Sequence, residues 1–319
     1  IAQLLSIGLA RQGAVRRRED IEIAMEESMM EITPQLEKRT HYLATFANLA
    51  LTGTVGNYTI TFTSGALTAA TPGAIALSAG LPAALDFNTQ PTTSVAGASI
   101  TPPVRVRVLD GGGNVVTTAT TSITLSIGTN PGGSTLGGTT TVSASSGIAQ
   151  FNALSLNRSG TGYTLAAAAT GLTGATSAAF DITPAAASAL AFTVQPGTTA
   201  AGVAIAPAVQ VEVRDALGNR VTTSTASITR AIGHNPGGST LGGTTTVNAV
   251  AGVATFSTLS LNRSGVGYTL SASSGGLTSA ISAGFTVDPG AASALAITTM
   301  PASGQSGALL APQPVIRLV

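Results

Sequence analysis

The string NPGGSTLGGTTTV stands at residues 130–142 and again, unchanged, at 235–247. The same offset of 105 residues recurs along the chain. LNRSG at 156–160 returns at 261–265, and Gln90-Pro91 returns as Gln195-Pro196, with Met300-Pro301 in the third register. Tyr58, Tyr163 and Tyr268 share the spacing. Phe46, Leu49 and Leu51 align with Phe151, Leu154 and Leu156, and with Phe256, Leu259 and Leu261. This period is longer than the roughly 20–50 residues of solenoid and propeller repeats, and it matches one β-sandwich domain of about 100 residues. The chain is therefore read as tandem domains, each with its own core.

Each repeat has strand periodicity. Val104, Val106 and Val108 alternate with Arg105 and Arg107, and Val209, Val211 and Val213 alternate with Gln210, Glu212 and Arg214. A period of two puts the valines on one face, as in a strand that covers one side of a core. Both runs end in a D-x-x-G-N turn, Asp110 to Asn114 and Asp215 to Asn219. There Gly supplies positive φ, and Asp and Asn bond to the local backbone. SITLSI at 122–127 reads as a further strand. Tyr163 and Tyr268 open a strand after a Gly-containing turn (GTGYTL, GVGYTL), the place of a tyrosine corner in Greek-key sandwiches, and Tyr58 stands in their register. Tyr58, Tyr163, Tyr268, Asn114 and Asn219 are accordingly expected to be structural. The fold class expected is all-β: tandem Greek-key sandwiches preceded by an amphipathic α-helical segment.

These patterns carry a family resemblance. V-x-V-x-V-x-D-x-x-G-N, F-x-x-L-x-L-(x)6-Y and the Ala/Pro joints ITPAAASA (182–189) and VDPGAASA (287–294) resemble bacterial immunoglobulin-like repeats of the invasin/intimin type. The resemblance covers about residues 46–319. It implies a non-enzymatic structural or adhesive protein of the bacterial cell surface, its repeats forming a spacer stalk or adhesin shaft. The partners implied are a surface ligand of unknown identity or neighbouring repeats. Two complete repeats are expected at 83–187 and 188–291, with a C-terminal third at 44–80 and the N-terminal part of another at 292–319.

Residues 1–43 follow a different plan. Residues 1–39 hold six of the 14 basic and seven of the 13 acidic residues. Ile21, Met25, Met29, Ile32 and Leu36 form one apolar stripe at helical spacing, with a kink or break due at Pro34. EIAMEESMMEITPQLEKRTHYLATFANLA (22–50) resembles the ExbB/TolQ/MotA family of membrane proton-channel subunits, at the point where a cytoplasmic helix enters the membrane. The alternative function that follows, a fragment of such a subunit, rests on residues 1–50 alone. The apolar span due next is replaced by the polar TGTVGNYTITFTSG. ATFANLA (44–50) is thus expected to join two unrelated sequences, because a helix feeding a third of a sandwich would leave an unpaired edge and half a core. The chain starts at Ile1 without an initiator Met and stops one residue before the Asp of the next D-x-x-G-N turn, as a partial gene product would.

Composition excludes several functions. A net charge of +1 leaves no electrostatic footprint for nucleic acid. Despite a mean hydropathy of +0.39, no run approaches the roughly 18 apolar residues of a spanning helix. Without cysteine there is no disulfide framework or thiolate metal site. Neither His41 nor His234 stands near a recurring partner that would orient a catalytic base, so no catalytic residue and no cofactor are assigned. Asp110 and Asp215 are sparse candidates for a calcium site, at one carboxylate per turn. The Gly-rich NPGGSTLGG lacks the Lys and the following helix of a phosphate loop. Asn157-Arg158-Ser159 and Asn262-Arg263-Ser264 match the glycosylation sequon.

Overall fold

A computed structural model describes residues 5–11, 49–64 and 68–318. Among these residues every regular element is a strand and none is a helix. The amphipathic stripe from Ile21 to Leu36, Pro34, His41, Phe46 and most of the ATFANLA join lie outside the described residues. The chain divides into two compact units, Ile1–Thr183 and Pro184–Val319.

The first unit opens with an incomplete sheet. β1 (Leu5–Arg11), β2 (Gly56–Ser64) and β3 (Ile75–Leu77) pair antiparallel in the order β1-β2-β3. Residues 5–11 are thus a strand and correct the helical reading of 1–43 at that point. Their sequence, LSIGLAR, alternates apolar with small residues at period two, which suits a strand. The edge of β2 is correspondingly paired rather than bare, with Ile60 opposite Leu9 and Phe62 opposite Ile7.

The first complete repeat follows as β4 (Pro82–Thr89), β5 (Ser94–Val95), β6 (Val104–Asp110) and β7 (Ser122–Ile127). Next come β8 (Leu136–Gly137), β9 (Thr141–Ser143), β10 (Ile148–Phe151) and β11 (Ser155–Leu156). The repeat closes with β12 (Gly160–Tyr163), β13 (Leu165–Ala168), β14 (Ala175–Thr176) and β15 (Phe180–Thr183). One layer is β10-β6-β4. The other is built from β14-β13-β7-β9 and β12-β15-β5, where β5 runs parallel to β15. Strands distant in sequence pair (β6 with β10, β7 with β13), so the chain crosses between layers in the Greek-key manner of an immunoglobulin sandwich.

The core lies between the layers. Val104, Val106 and Val108 are fully buried, and so are Phe151, Leu154, Leu156, Tyr163 and Leu165. The outward faces differ in chemistry. On β4, β6 and β10, Arg107 pairs with Asp86, and Arg105 Nε donates to Gln150 at 2.7 Å. On the other layer, the Thr124 and Thr141 hydroxyls lie 2.9 Å apart, and Asp181 accepts from the N–H of Gly162 at 2.9 Å. By the 105-residue register Ile60 of β2 corresponds to Leu165 of β13. Leu165 pairs with Ile127 of β7 as Ile60 pairs with Leu9 of β1. β1 therefore stands where β7 stands in the complete repeat. What the incomplete sheet lacks is a full core: Leu49 is 37% exposed, whereas its counterpart Leu154 is 0%.

The second unit repeats this plan, each strand displaced by 105 residues. It runs β16 (Ala187–Val194), β17 (Thr199–Ala200), β18 (Val209–Asp215) and β19 (Ser227–Ile232). Then come β20 (Leu241–Gly242), β21 (Thr246–Asn248), β22 (Val253–Phe256) and β23 (Ser260–Leu261). β24 (Gly265–Tyr268), β25 (Leu270–Ser273), β26 (Ala280–Ile281) and β27 (Phe285–Asp288) complete it. A final hairpin, β28 (Leu295–Thr299) with β29 (Val315–Leu318), follows, with Leu295, Ile297, Val315 and Ile316 exposed.

One core position breaks the apolar pattern. Arg230 on β19 is only 2% exposed, and its Nε, Nη1 and Nη2 have no hydrogen-bond partner. The guanidinium carbon lies 4.0 Å from the ring centre of Phe192 and 4.6 Å from that of Phe256. Burial lowers its pKa to about 10. In the first repeat this position is Leu125, part of the core with Phe87 and Phe151. Cation–π contact is worth about 2 kcal/mol when desolvated, whereas an unpaired buried ion carries a penalty of several kcal/mol.

Candidate functional site

The feature that both repeats build most fully is the turn at the end of β6 and β18. At the first, Asp110 Oδ1 accepts from the backbone N–H of Gly112 (2.9 Å) and Asn114 (2.8 Å). Its Oδ2 accepts from the N–H of Gly80 at 2.8 Å, in the linker before β4. The Asn114 amide adds a further donor at 3.1–3.2 Å. Gly113 makes the turn possible with φ of +80°, a region that favours glycine. The same atoms recur at Asp215, which accepts from the N–H of Leu217, Asn219 and linker residue Ala185, and from Asn219 Nδ2, at 2.8–2.9 Å.

The turn therefore ties the end of one strand to the linker that begins the same repeat. Asn114 extends the tie backwards. Its Nδ2 donates to Gly53 O and its Oδ1 accepts from Val55 N–H, both at 3.0 Å. A single side-chain amide thus reads a backbone donor and acceptor of the preceding β1–β3 segment, within the first unit.

Electrostatics follow from this donor set. Burial pushes the Asp110 carboxyl up, but the hydrogen bonds from Gly80, Asn114 and Gly112 outweigh it and hold it below the usual carboxylate range. For Asp215 burial again acts upward, and Asn219, Ala185 and Leu217 bring it below that range. In both, N–H groups point their positive ends at the oxygens. A calcium ion would have to displace them, so the geometry favours the turn role of Asp110 and Asp215 over the ligand role. Among the described residues no three His, Asp, Glu or Cys side chains gather into a metal-binding group.

The tyrosines form the second feature. Tyr58, Tyr163 and Tyr268 are at most 1% exposed. Tyr163 Oη donates to Arg158 O at 2.9 Å, Tyr268 Oη to Arg263 O at 3.0 Å, and Tyr58 Oη to Thr54 O. Against Tyr163 lies the loop that is identical in both repeats. Ser134 N–H donates to Asn130 Oδ1 (2.7 Å), and Ser134 Oγ and Thr135 N–H both donate to Asn157 Oδ1 (2.9 Å). The sequon asparagines Asn157 and Asn262 thus hold this loop closed, Asn262 through Ser239 and Thr240. A Cβ on Gly132 would run into the Tyr163 hydroxyl and Ser159 O. The tyrosine thus leaves no room for a side chain at Gly132 of the repeated loop. Tyrosine and loop are separate motifs in the sequence and one assembly in the structure. The signal was their shared exactness of repetition.

Replacing Tyr163 by Phe removes one buried hydrogen bond and should lower stability by about 1 kcal/mol. Thermal unfolding followed by circular dichroism should show the midpoint of the first sandwich fall by roughly 4–8 °C.

His234 occupies an exposed loop. Its N–H donates to Thr269 Oγ1 at 2.7 Å, and Nδ1 lies 2.9 Å from Gly267 O, with no carboxylate partner in either contact. An open cleft of about 620 Å³ in the first unit is lined by Gly80, Pro82, Val116, Thr118 and Thr121, which supply no ionisable group.

No family model matches the chain, and no curated relative does. Solved structures resemble it at low identity. The Escherichia coli adhesin FdeC is 17% identical over 74% of either chain, with a TM-score of 0.29. The Yersinia pseudotuberculosis adhesin InvE is 16% identical over 64% of this chain and 58% of that one, at 0.27. A Bacteroides vulgatus beta-glycosidase is 13% identical over 66% of this chain, at 0.29, and the chain spans only 25% of its length. At scores this low the fold class rests on strand order: the described chain is all-β, with Greek-key sandwiches of immunoglobulin type.

Proposed function

We propose that this chain is a non-enzymatic structural or adhesive part of a bacterial cell-surface protein. Its immunoglobulin-like modules, 83–187 and 188–291, act as a spacer stalk or adhesin shaft. The observation that carries this reading is the joint at Asp110 and Asn114. A carboxylate fixes the linker, and an amide fixes the preceding segment through Gly53 and Val55. Such a joint restricts bending between neighbours, which is what a shaft requires and an isolated globular domain does not. Pro and Ala in ITPAAASA and VDPGAASA stiffen the connections further.

No observation favours the membrane proton-channel alternative. Of residues 1–50, on which it rests, those described are the strand 5–11 and residues 49–50. No helix among the described residues is long and apolar enough to cross a membrane.

Antibodies raised against residues 83–287 test the proposal on intact cells of the source organism. Labelling of unpermeabilised cells, abolished by brief external protease treatment, is the expected result. Labelling that requires permeabilisation would overturn the surface assignment.

A further inference from the structure

The two complete sandwiches share their strands, their D-x-x-G-N turn, their loop and their tyrosine, all at one spacing. Their cores differ in kind at Arg230, which replaces Leu125. β19 lies inside its sheet, between β21 and β25, and the residues inward of it are Ile228 and Arg230. The guanidinium therefore projects between the layers rather than towards water. Its three nitrogens meet no acceptor, and its close neighbours are the faces of Phe192 and Phe256. Those faces attract the cation but accept none of its five N–H groups in the plane of the fork.

Opening this sandwich returns the ion to water and relieves the whole penalty. Opening the first sandwich instead exposes Leu125 and loses apolar burial. The same event is thus favoured in one copy and opposed in the other, by a single side chain.

We propose that the second sandwich is the weaker of the two and opens first, with Arg230 as the built-in cause. The chain then has an ordered failure sequence under heat, denaturant or tension, in which one module unravels while its neighbour stays folded. This goes beyond the stalk reading and holds wherever the chain is displayed.

Hydrogen exchange followed by mass spectrometry on the full chain tests it, because peptides from the two sandwiches are read separately. Amides of β18, β19, β22 and β25 should exchange about 10-fold or more faster than those of β6, β7, β10 and β13. Arg230→Leu should slow exchange in the second sandwich to the level of the first and leave the first unchanged. Arg230→Met, which keeps an unbranched stem without the charge, should do the same. Leu125→Arg should raise exchange in the first sandwich to that of the second, and Leu125→Arg combined with Arg230→Leu should reverse the order. Equal exchange in the unaltered chain would overturn the proposal. So would Leu and Met variants that exchange as fast as the parent, since the charge would then not be the cause.

Discussion

Gly138→Ala should destabilise the first sandwich by about 3 kcal/mol or more, lowering its midpoint by at least ~12 °C. Gly138 has φ of +92°, and an added Cβ would strike the carbonyl of Ala153, a backbone group that cannot rotate away. Two effects add: the strain of a left-handed conformation for an L-residue, about 1–2 kcal/mol, and overpacking of about 1–3 kcal/mol. Gly133→Ala separates them. Gly133 also has positive φ, at +62°, yet nothing lies within 4 Å of its missing Cβ. It should lose only about 1 kcal/mol. Equal losses at the two positions, measured by urea unfolding, would show that steric approach is not what preserves the loop.

The second large effect is expected at Asp215. Asp215→Ala leaves the N–H groups of Ala185, Leu217 and Asn219 without their acceptor, in a site only 2% exposed. A buried donor that loses its acceptor carries a penalty of about 1–3 kcal/mol, and water reaches the exposed Leu217, so the total is roughly 3–5 kcal/mol. The acid limb gives a second readout. The native carboxyl titrates below its unfolded value, so between the two values the unfolded state binds more protons. Stability is then fully present above the unfolded value, about 3.9, and is lost as pH falls through the folded one. Asp215→Ala should flatten that acid limb. An unchanged limb would mean that the carboxylate is not what fixes the linker.

Much of this architecture was legible in the sequence because the chain repeats itself. The valine alternation at 104–108 identified a half-buried strand, and in the structure those valines are fully buried. The D-x-x-G-N motif announced a turn, since Asp, Gly and Asn each suit a distinct part of it. The reach of that turn was not legible: Gly80 and Gly53 are glycines like many others, and hydrogen bonds from backbone groups leave no compositional trace. Arg230 is less legible, because one charge in an alternating strand reads as an outward residue. Its spacing of two from Ile228 and Ile232, together with the register of Leu125, places it on the inward face. Residues 5–11 precede a charged stretch of helical spacing, and their own period-two pattern is short and local. Pairing with β2 decides their state, which is a tertiary effect that propensity alone does not carry.

The linker hydrogen bonds also move the seams of the chain. Counted by recurrence, the modules begin at residues 83 and 188. Counted by what Asp110 and Asp215 hold, they begin no later than Gly80 and Ala185, three residues earlier in each case. The boundary between the compact units, at Pro184, falls on the same side. A copy excised at 188 would leave its donor behind on the neighbour, whereas one excised at 184 would take it along. The upstream seam therefore keeps each carboxylate with its own linker donor, while the Asn114 tie to Gly53 and Val55 still crosses it.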